Sequence, residues 1–332
     1  MKKILNGPED YVNEMLEGLC AAHPEYFKRT AAQGRVLVRP DAPIAGKVGI
    51  VTGGGSGHLP VFTGYLGKGL LDACAIGDVF ASPGVRLMTD AICAANGGAG
   101  VLRLYGNYGG DVMNFEMAAE IAEMQGIATT QVLVADDVAS ASLAERSKRR
   151  GVGGMIYCFK IAGAKADTMA SLEEVTATAQ KAADNCRTIG VALTPCTLPA
   201  VGHPTFTIGE GEMEIGMGIH GEPGVHRGPL RSADEIVKDM LEYLLADMPL
   251  VTGDRVSVLV NSLGATPLEE LYISYRYLAR EMKAKGVTIV QPLIGRYATS
   301  MEMTGMSITL CKLDEELETL LTAPCDCPFM RN

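Results

Sequence analysis

Short apolar runs alternate with amphipathic stretches through the first half of the chain. Residues 47–52 read as a buried strand entering Gly53-Gly54-Gly55, residues 100–104 as a second strand and 130–134 as a third. Between them, residues 86–95 and 112–123 carry apolar side chains at helical spacing. Strand, helix, strand in succession predicts parallel pairing, right-handed crossovers and helices over both sheet faces. Residues 171–187 read as a helix, acidic early and basic late as the macrodipole favours, and lead into a segment holding Pro195 and Pro199. A boundary is therefore expected near residue 190. The second half reads as strand 212–218, a loop through Arg227, helix 233–245, strand 255–260, helix 268–283 and strands 287–290 and 307–310. The expectation is two α/β domains, 1–190 and 191–332, each with a mostly parallel or mixed sheet covered by helices.

Length and composition fit this reading. A chain of 332 residues, 47% hydrophobic with 39 glycines and no tryptophan, has enough apolar material for two cores. Its net charge of −10 argues against nucleic acid or an anionic membrane as a partner, since phosphate neutralisation needs clustered Lys and Arg. The one dense basic run, Arg146 to Arg150, reads as a solvated helix end. No segment reaches the roughly 18 apolar residues of a membrane span, and the first residues have no signal-like apolar region, so a cytoplasmic protein is expected. The nine cysteines are scattered among apolar positions and read as reduced core thiols; Cys325 and Cys327 lack a second pair at zinc-site spacing.

Three clusters can carry chemistry. Gly53-Gly54-Gly55-Ser56-Gly57-His58 follows a strand and precedes an expected helix, so its backbone N–H groups can face an oxygenated ligand. It is neither a Walker A loop, lacking Gly-Lys-Ser/Thr, nor a nucleophile elbow, and on its own it is as readily a tight turn. Tyr105-Gly106-Asn107-Tyr108-Gly109-Gly110-Asp111 follows the second strand, which puts Asp111 at the same carboxyl edge as His58; its bland reading is a helix N-cap. His220 ends an expected strand and opens a Gly- and Pro-rich loop, Gly221-Glu222-Pro223-Gly224, that leaves its imidazole accessible. His23, His203 and His226 have weaker contexts.

These clusters, with Asn-Ser-Leu-Gly-Ala-Thr-Pro at 261–267, Lys160-Ile161-Ala162-Gly163 and Tyr297-Ala298-Thr299-Ser300-Met301-Glu302, resemble in order the substrate-binding subunits of dihydroxyacetone kinases linked to the phosphotransferase system. The resemblance covers almost the whole chain. It implies that His220 adds through a ring nitrogen to a ketone carbonyl, giving a covalent hemiaminal, and that His58 and Asp111 serve proton transfer at the substrate hydroxyl. Gly55, Ser56 and Gly57 would hold substrate oxygens through their backbones. The resemblance places no cofactor or metal on this chain: ADP or ATP and magnesium would sit on a separate nucleotide-binding kinase subunit, and the subunit itself would be a homodimer.

The chain departs from that pattern at Gly106, where the family commonly has a substrate-contacting lysine, and at Leu59 and Phe62, which predict a more apolar pocket mouth. Space left by Gly106 would suit a larger ketose such as erythrulose. Alternatives are a non-catalytic paralogue that senses a hydroxyketone, and an unrelated α/β domain, which would leave His58 and His220 far apart.

Overall fold

The computed structural model describes residues 2–30 and 34–332. Its first sheet holds β1 (Lys28–Arg29), β2 (Val36–Val38), β3 (Gly49–Ser56), β4 (Ala73–Val79), β5 (Val101–Gly106) and β6 (Thr129–Val134), in the order β1-β2-β4-β3-β5-β6. The four strands β4, β3, β5 and β6 run parallel, and β1 and β2 close one edge antiparallel. One face is covered by α2 (Val85–Ala95) and α3 (Gly109–Met124), whose Met88, Ile92, Phe115 and Ala118 meet Val51 and Tyr105. The other face meets α1 (Tyr11–Ala22), α4 (Gly154–Asp167) and α5 (Leu172–Asp184). Sequence periodicity locates β3, β5, β6, α2 and α3 correctly. It misses β4, whose Ala73-Cys74-Ala75-Ile76-Gly77 is small and apolar with no alternation.

The second sheet holds β7 (Cys186–Thr194), β8 (Glu212–Ile215), β9 (His226–Pro229), β10 (Arg255–Ser262), β11 (Thr288–Ile289), β12 (Leu293–Gly295) and β13 (Thr304–Leu313). It is mixed: β10, β13, β7, β8 and β9 are antiparallel neighbours, while β11 and β12 lie parallel to β10. Helices α6 (Ala233–Asp247) and α7 (Leu268–Ala284) pack on it, joined to the sheet through Val237, Met240, Leu271 and Leu278. Both α5 and α6 begin with a full capping box, Ser171 with Glu174 and Ser232 with Glu235. The chain ends in α8 (Glu315–Thr322) and a small hairpin, β14 (Asp326–Cys327) with β15 (Met330–Arg331).

Between the two sheets lies α4. Twelve of its residues are buried, on every side, as expected of a helix packed against partners all round. One apolar cluster accordingly runs from Leu102 and Val134 through Ile156 and Phe159 to Leu259 and Cys311 of the second sheet. Position 190 falls inside β7.

The basic run at 146–150 corrects the sequence reading. Arg149 is 1% exposed, donates to Asp247, and shares that carboxylate with Arg187. Arg150 pairs with Asp137 at 2.8 Å. Sequence cannot separate a solvated arginine from a buried one whose partner lies 98 residues away. Removing one partner of such a buried pair typically costs about 3–5 kcal/mol. The nine cysteines are all free thiols, and no helix among the described residues is long and apolar enough to cross a membrane.

Candidate functional site: a histidine pair between two lobes

The site begins where β3 and β5 end side by side. The parallel register sets Ile50 opposite Leu102, so the turns after Ser56 and after Gly106 open on one edge. The glycine run is required here by contact rather than by turn type alone. A Cβ on Gly54 would fall 2.0 Å from the Phe62 ring, and one on Gly55 would fall 2.7 Å from the Ala81 nitrogen. Gly57 sits at φ +99°, a conformation open to glycine and strained for other residues. Ser56 Oγ donates to the Gly77 carbonyl at 2.9 Å, which fixes the end of β3. The expected helix after His58 is absent: a 3₁₀ turn at Thr63–Tyr65 stands there.

That turn delivers His58 into a closed slot. Its residue exposure is 1%, the Phe80 ring stacks on it at 4.7 Å and 11°, and its Nδ1 donates to the Thr299 carbonyl at 2.7 Å. Because a carbonyl can only accept, the proton is on Nδ1 and Nε2 is left as an acceptor. Burial, reinforced by the nearby His220, pushes its pKa down to about 3, so the ring is neutral.

His220 comes from the second sheet. Strand β8 ends at Ile215, three residues earlier than expected, because Gly216 turns at φ +84°. The following tight loop places the imidazole edge-on to His58, Phe80 and Tyr108 at centroid distances of 4.8, 5.1 and 5.0 Å. Its side chain remains a quarter exposed (25%). Glu222 grips it twice: Oε2 accepts from the His220 backbone N–H and Oε1 from Nδ1, each at 3.0 Å. Against the upward push of burial, the His220 contacts and Arg150 hold the Glu222 carboxyl down at about 2, so it is ionised.

The two rings meet at 3.0 Å, Nε2 to Nε2. His58 Nε2 is left as an acceptor and the anionic Glu222 accepts from His220 Nδ1, so a continuous series of contacts runs from Glu222 through both rings to Thr299. A carbonyl carbon cannot occupy a 3.0 Å gap, so a ligand that bonds to His220 Nε2 must part the pair.

Asp111 lies in the same edge cluster, close enough for His220 to lower its pKa, as Ser82 also does. Burial dominates and lifts it to about 6. It is the third residue of α3, whose N-cap position is Tyr108, so the capping reading fails. Its Oδ1 is buried with no hydrogen-bond partner among the described residues, so it is free to accept one.

The space at Gly106 is confined: a Cβ there would stand 3.1 Å from both Met155 Sδ and the Tyr108 ring, whose hydroxyl is tied to the Gly151 carbonyl at 3.0 Å. Phe62 is 6% exposed, its ring edge-on to His58 at 6.4 Å, and it lines a small cavity with Gly54, Gly55 and Leu59. Reading the sequence picked out His58, Asp111 and His220 but missed Phe80, Thr299 and Glu222. Glu222 had a local signal, a carboxylate two residues from a loop histidine; Thr299, 241 residues from His58, stood in a stretch that carries the family resemblance but with no role attached, and Phe80, 22 residues from His58, had no signal. No group of three or more His, Cys, Asp or Glu side chains among the described residues is placed to hold a metal ion.

The model of the Dak1 domain matches residues 17–329. The chain belongs to the Dak1 family. Among Dak1 relatives, the dihydroxyacetone-binding subunit of the PTS-dependent dihydroxyacetone kinase 2 of Listeria innocua is 45% identical over all of this chain and 99% of its own length. The L-erythrulose kinase of Pectobacterium atrosepticum is 41% identical, covering all of this chain but 56% of that protein. In three dimensions the crystal structure of the dihydroxyacetone kinase of C. freundii superimposes with a TM-score of 0.89 at 34% identity, covering 98% of this chain and 59% of that one. With the two histidines in contact, the Dak1 fold excludes the unrelated α/β domain considered from the sequence.

Proposed function

We propose that this Dak1 protein is the substrate-binding subunit of a hydroxyketone kinase, taking dihydroxyacetone or a related small ketose as a covalent adduct of His220. The observation that carries the reading is the 3.0 Å Nε2 contact between His220 and a buried, neutral His58. With Nδ1–H donated to Glu222, His220 presents the lone pair of Nε2 to a ketone carbonyl that enters between the rings. That pair forms the C–N bond, the carbonyl π electrons move to oxygen, and a proton from solvent completes the hydroxyl. The product is a hemiaminal bonded at Nε2 and still carrying Nδ1–H against ionised Glu222, so atoms and charge balance with one proton taken up, and His58 Nε2 stays free as an acceptor for the hydroxyl that is phosphorylated. Only a carbonyl can react in this way, which selects ketoses over polyols. Asp111, lifted to about 6, then accepts the proton of the hydroxyl that attacks phosphorus. The nucleotide and its magnesium belong to a partner subunit, and transfer takes place across the interface, where alignment and water exclusion supply much of the rate.

The test is mass spectrometry and carbon-13 NMR of the chain with carbonyl-labelled dihydroxyacetone. An adduct of one ketone, its labelled carbon moved from the carbonyl to the sp³ region and absent in His220→Ala, is expected. An adduct that survives His220→Ala, or ketone binding with the carbonyl intact, overturns the reading. Turnover with a nucleotide-binding partner over dihydroxyacetone, glyceraldehyde and erythrulose ranks the ketoses; adduct formation with no turnover on any of them assigns a sensor instead.

A further inference from the structure

The histidine pair handles protons and a carbonyl, yet phosphoryl transfer also moves several negative charges, and these call for cations. The pocket itself has none to spare. Gly106 has no side chain, and Arg150 is committed to Asp137 at 2.8 Å and Glu222 at 3.6 Å. Uncommitted cations line a neighbouring cavity instead. A cavity of about 490 Å³ opens against Gly57 and Thr299, the two residues whose backbone fixes His58, and it is lined by Lys2, Lys3 and Arg296. Gly57 and Met301 close the wall between cavity and ring, the Met301 N–H donating to the Gly57 carbonyl at 2.8 Å.

The charges there are not balanced. Lys3 is neutralised by Glu302, which also lines the cavity. Lys2 and Arg296 are exposed and make no ion pair among the described residues. In a chain of net charge −10, two unpaired cations in a concavity form a local positive field that draws anions. Arg296 brings the planar fork that fits phosphate oxygens.

We propose that this cavity is a phosphate-anion site serving the adjacent reaction. It receives either the phosphates of the nucleotide carried by the partner or the phosphate of the phosphorylated ketose as it leaves. The proposal rests on the kinase reading, and the experiment separates the two. Calorimetric titration of the full chain with inorganic pyrophosphate at low salt is expected to show binding that weakens as salt is raised, and by at least tenfold in Arg296→Glu and Lys2→Glu. The ketone adduct is measured on the same samples. An adduct without pyrophosphate binding, or with binding indifferent to both substitutions, overturns the anion site and leaves the kinase reading standing. Absence of the adduct in the unaltered chain overturns the kinase reading itself. In the assay with partner present, Arg296→Glu raising the half-saturating partner concentration tenfold at constant ketone KM assigns the donor phosphates. Weaker inhibition by phosphorylated ketose in that variant assigns the product. Pyrophosphate binding with neither effect describes an ion site outside the reaction, and sinks the proposal.

Discussion

The two lobes give the site the same side chain in opposite settings. His58, at the end of a parallel strand in the first lobe, is sealed under Phe80, neutral, and anchored to a backbone carbonyl. His220, on a loop of the mixed second sheet, is a quarter exposed and held by an ionised carboxylate. Burial without a counter-charge favours the uncharged ring at His58, whereas the carboxylate accepting from Nδ1 of His220 fixes which of its nitrogens faces the partner ring. One residue type thereby yields a proton acceptor and a nucleophile 3.0 Å apart. Each environment draws on both halves of the chain: Thr299 anchors His58, and Phe80 and Tyr108 pack against His220.

This contrast can be broken from either side. The largest effect is expected from His58→Ala, which removes the buried acceptor: turnover should fall by ~10²–10⁴ while the His220 adduct still forms. Loss of the adduct with turnover retained would reverse the two assignments. Next is Glu222→Gln, which takes the charge but not the shape from the second lobe. A hydrogen bond to a charged group contributes about 1.5–3 kcal/mol, so the adduct equilibrium should weaken by roughly 10–10²-fold. An unchanged equilibrium by NMR would mean that Glu222 only holds the loop.

The smallest effect sharpens the first lobe's side. Asp111 has a carboxyl raised to about 6 from 3.8. The folded protein therefore holds a proton that the unfolded chain releases, which stabilises fully below about pH 4, the stabilisation being lost as pH rises through about 6. Asp111→Asn should accordingly raise stability by about 1–2 kcal/mol at pH 8 and by nothing near pH 3. It should also remove the acid limb near pH 6 from the turnover profile. Denaturation at the two pH values checks this, and an equal effect at both would show that the carboxyl is not the source. His58 works in the other direction: with its pKa lowered, its contribution is intact above about 6.5 and declines as pH falls toward 3.

Periodicity made three of the four parallel strands of the first sheet legible, since β3, β5 and β6 each hold a short apolar run and are separated by helical stretches. It could not see α4, because a helix buried on all sides has no polar face to mark its period. It misjudged Arg149, whose carboxylate partner is remote, and could not foresee that Met155, distant in the chain, crowds Gly106 together with the near neighbour Tyr108.

What the sequence by itself determined was the chemical inventory: a glycine-rich turn after a strand, a loop histidine with a carboxylate two residues on, and an aspartate just past a parallel strand. What only the tertiary structure decided was state and contact: which histidine is neutral, which nitrogen faces which, and that Phe80 and Thr299 belong to the site. The reason is physical. Residue type and local spacing are properties of the chain, but a pKa and a hydrogen-bond partner depend on what the folded protein excludes water from, and here that is set by two lobes closing on each other.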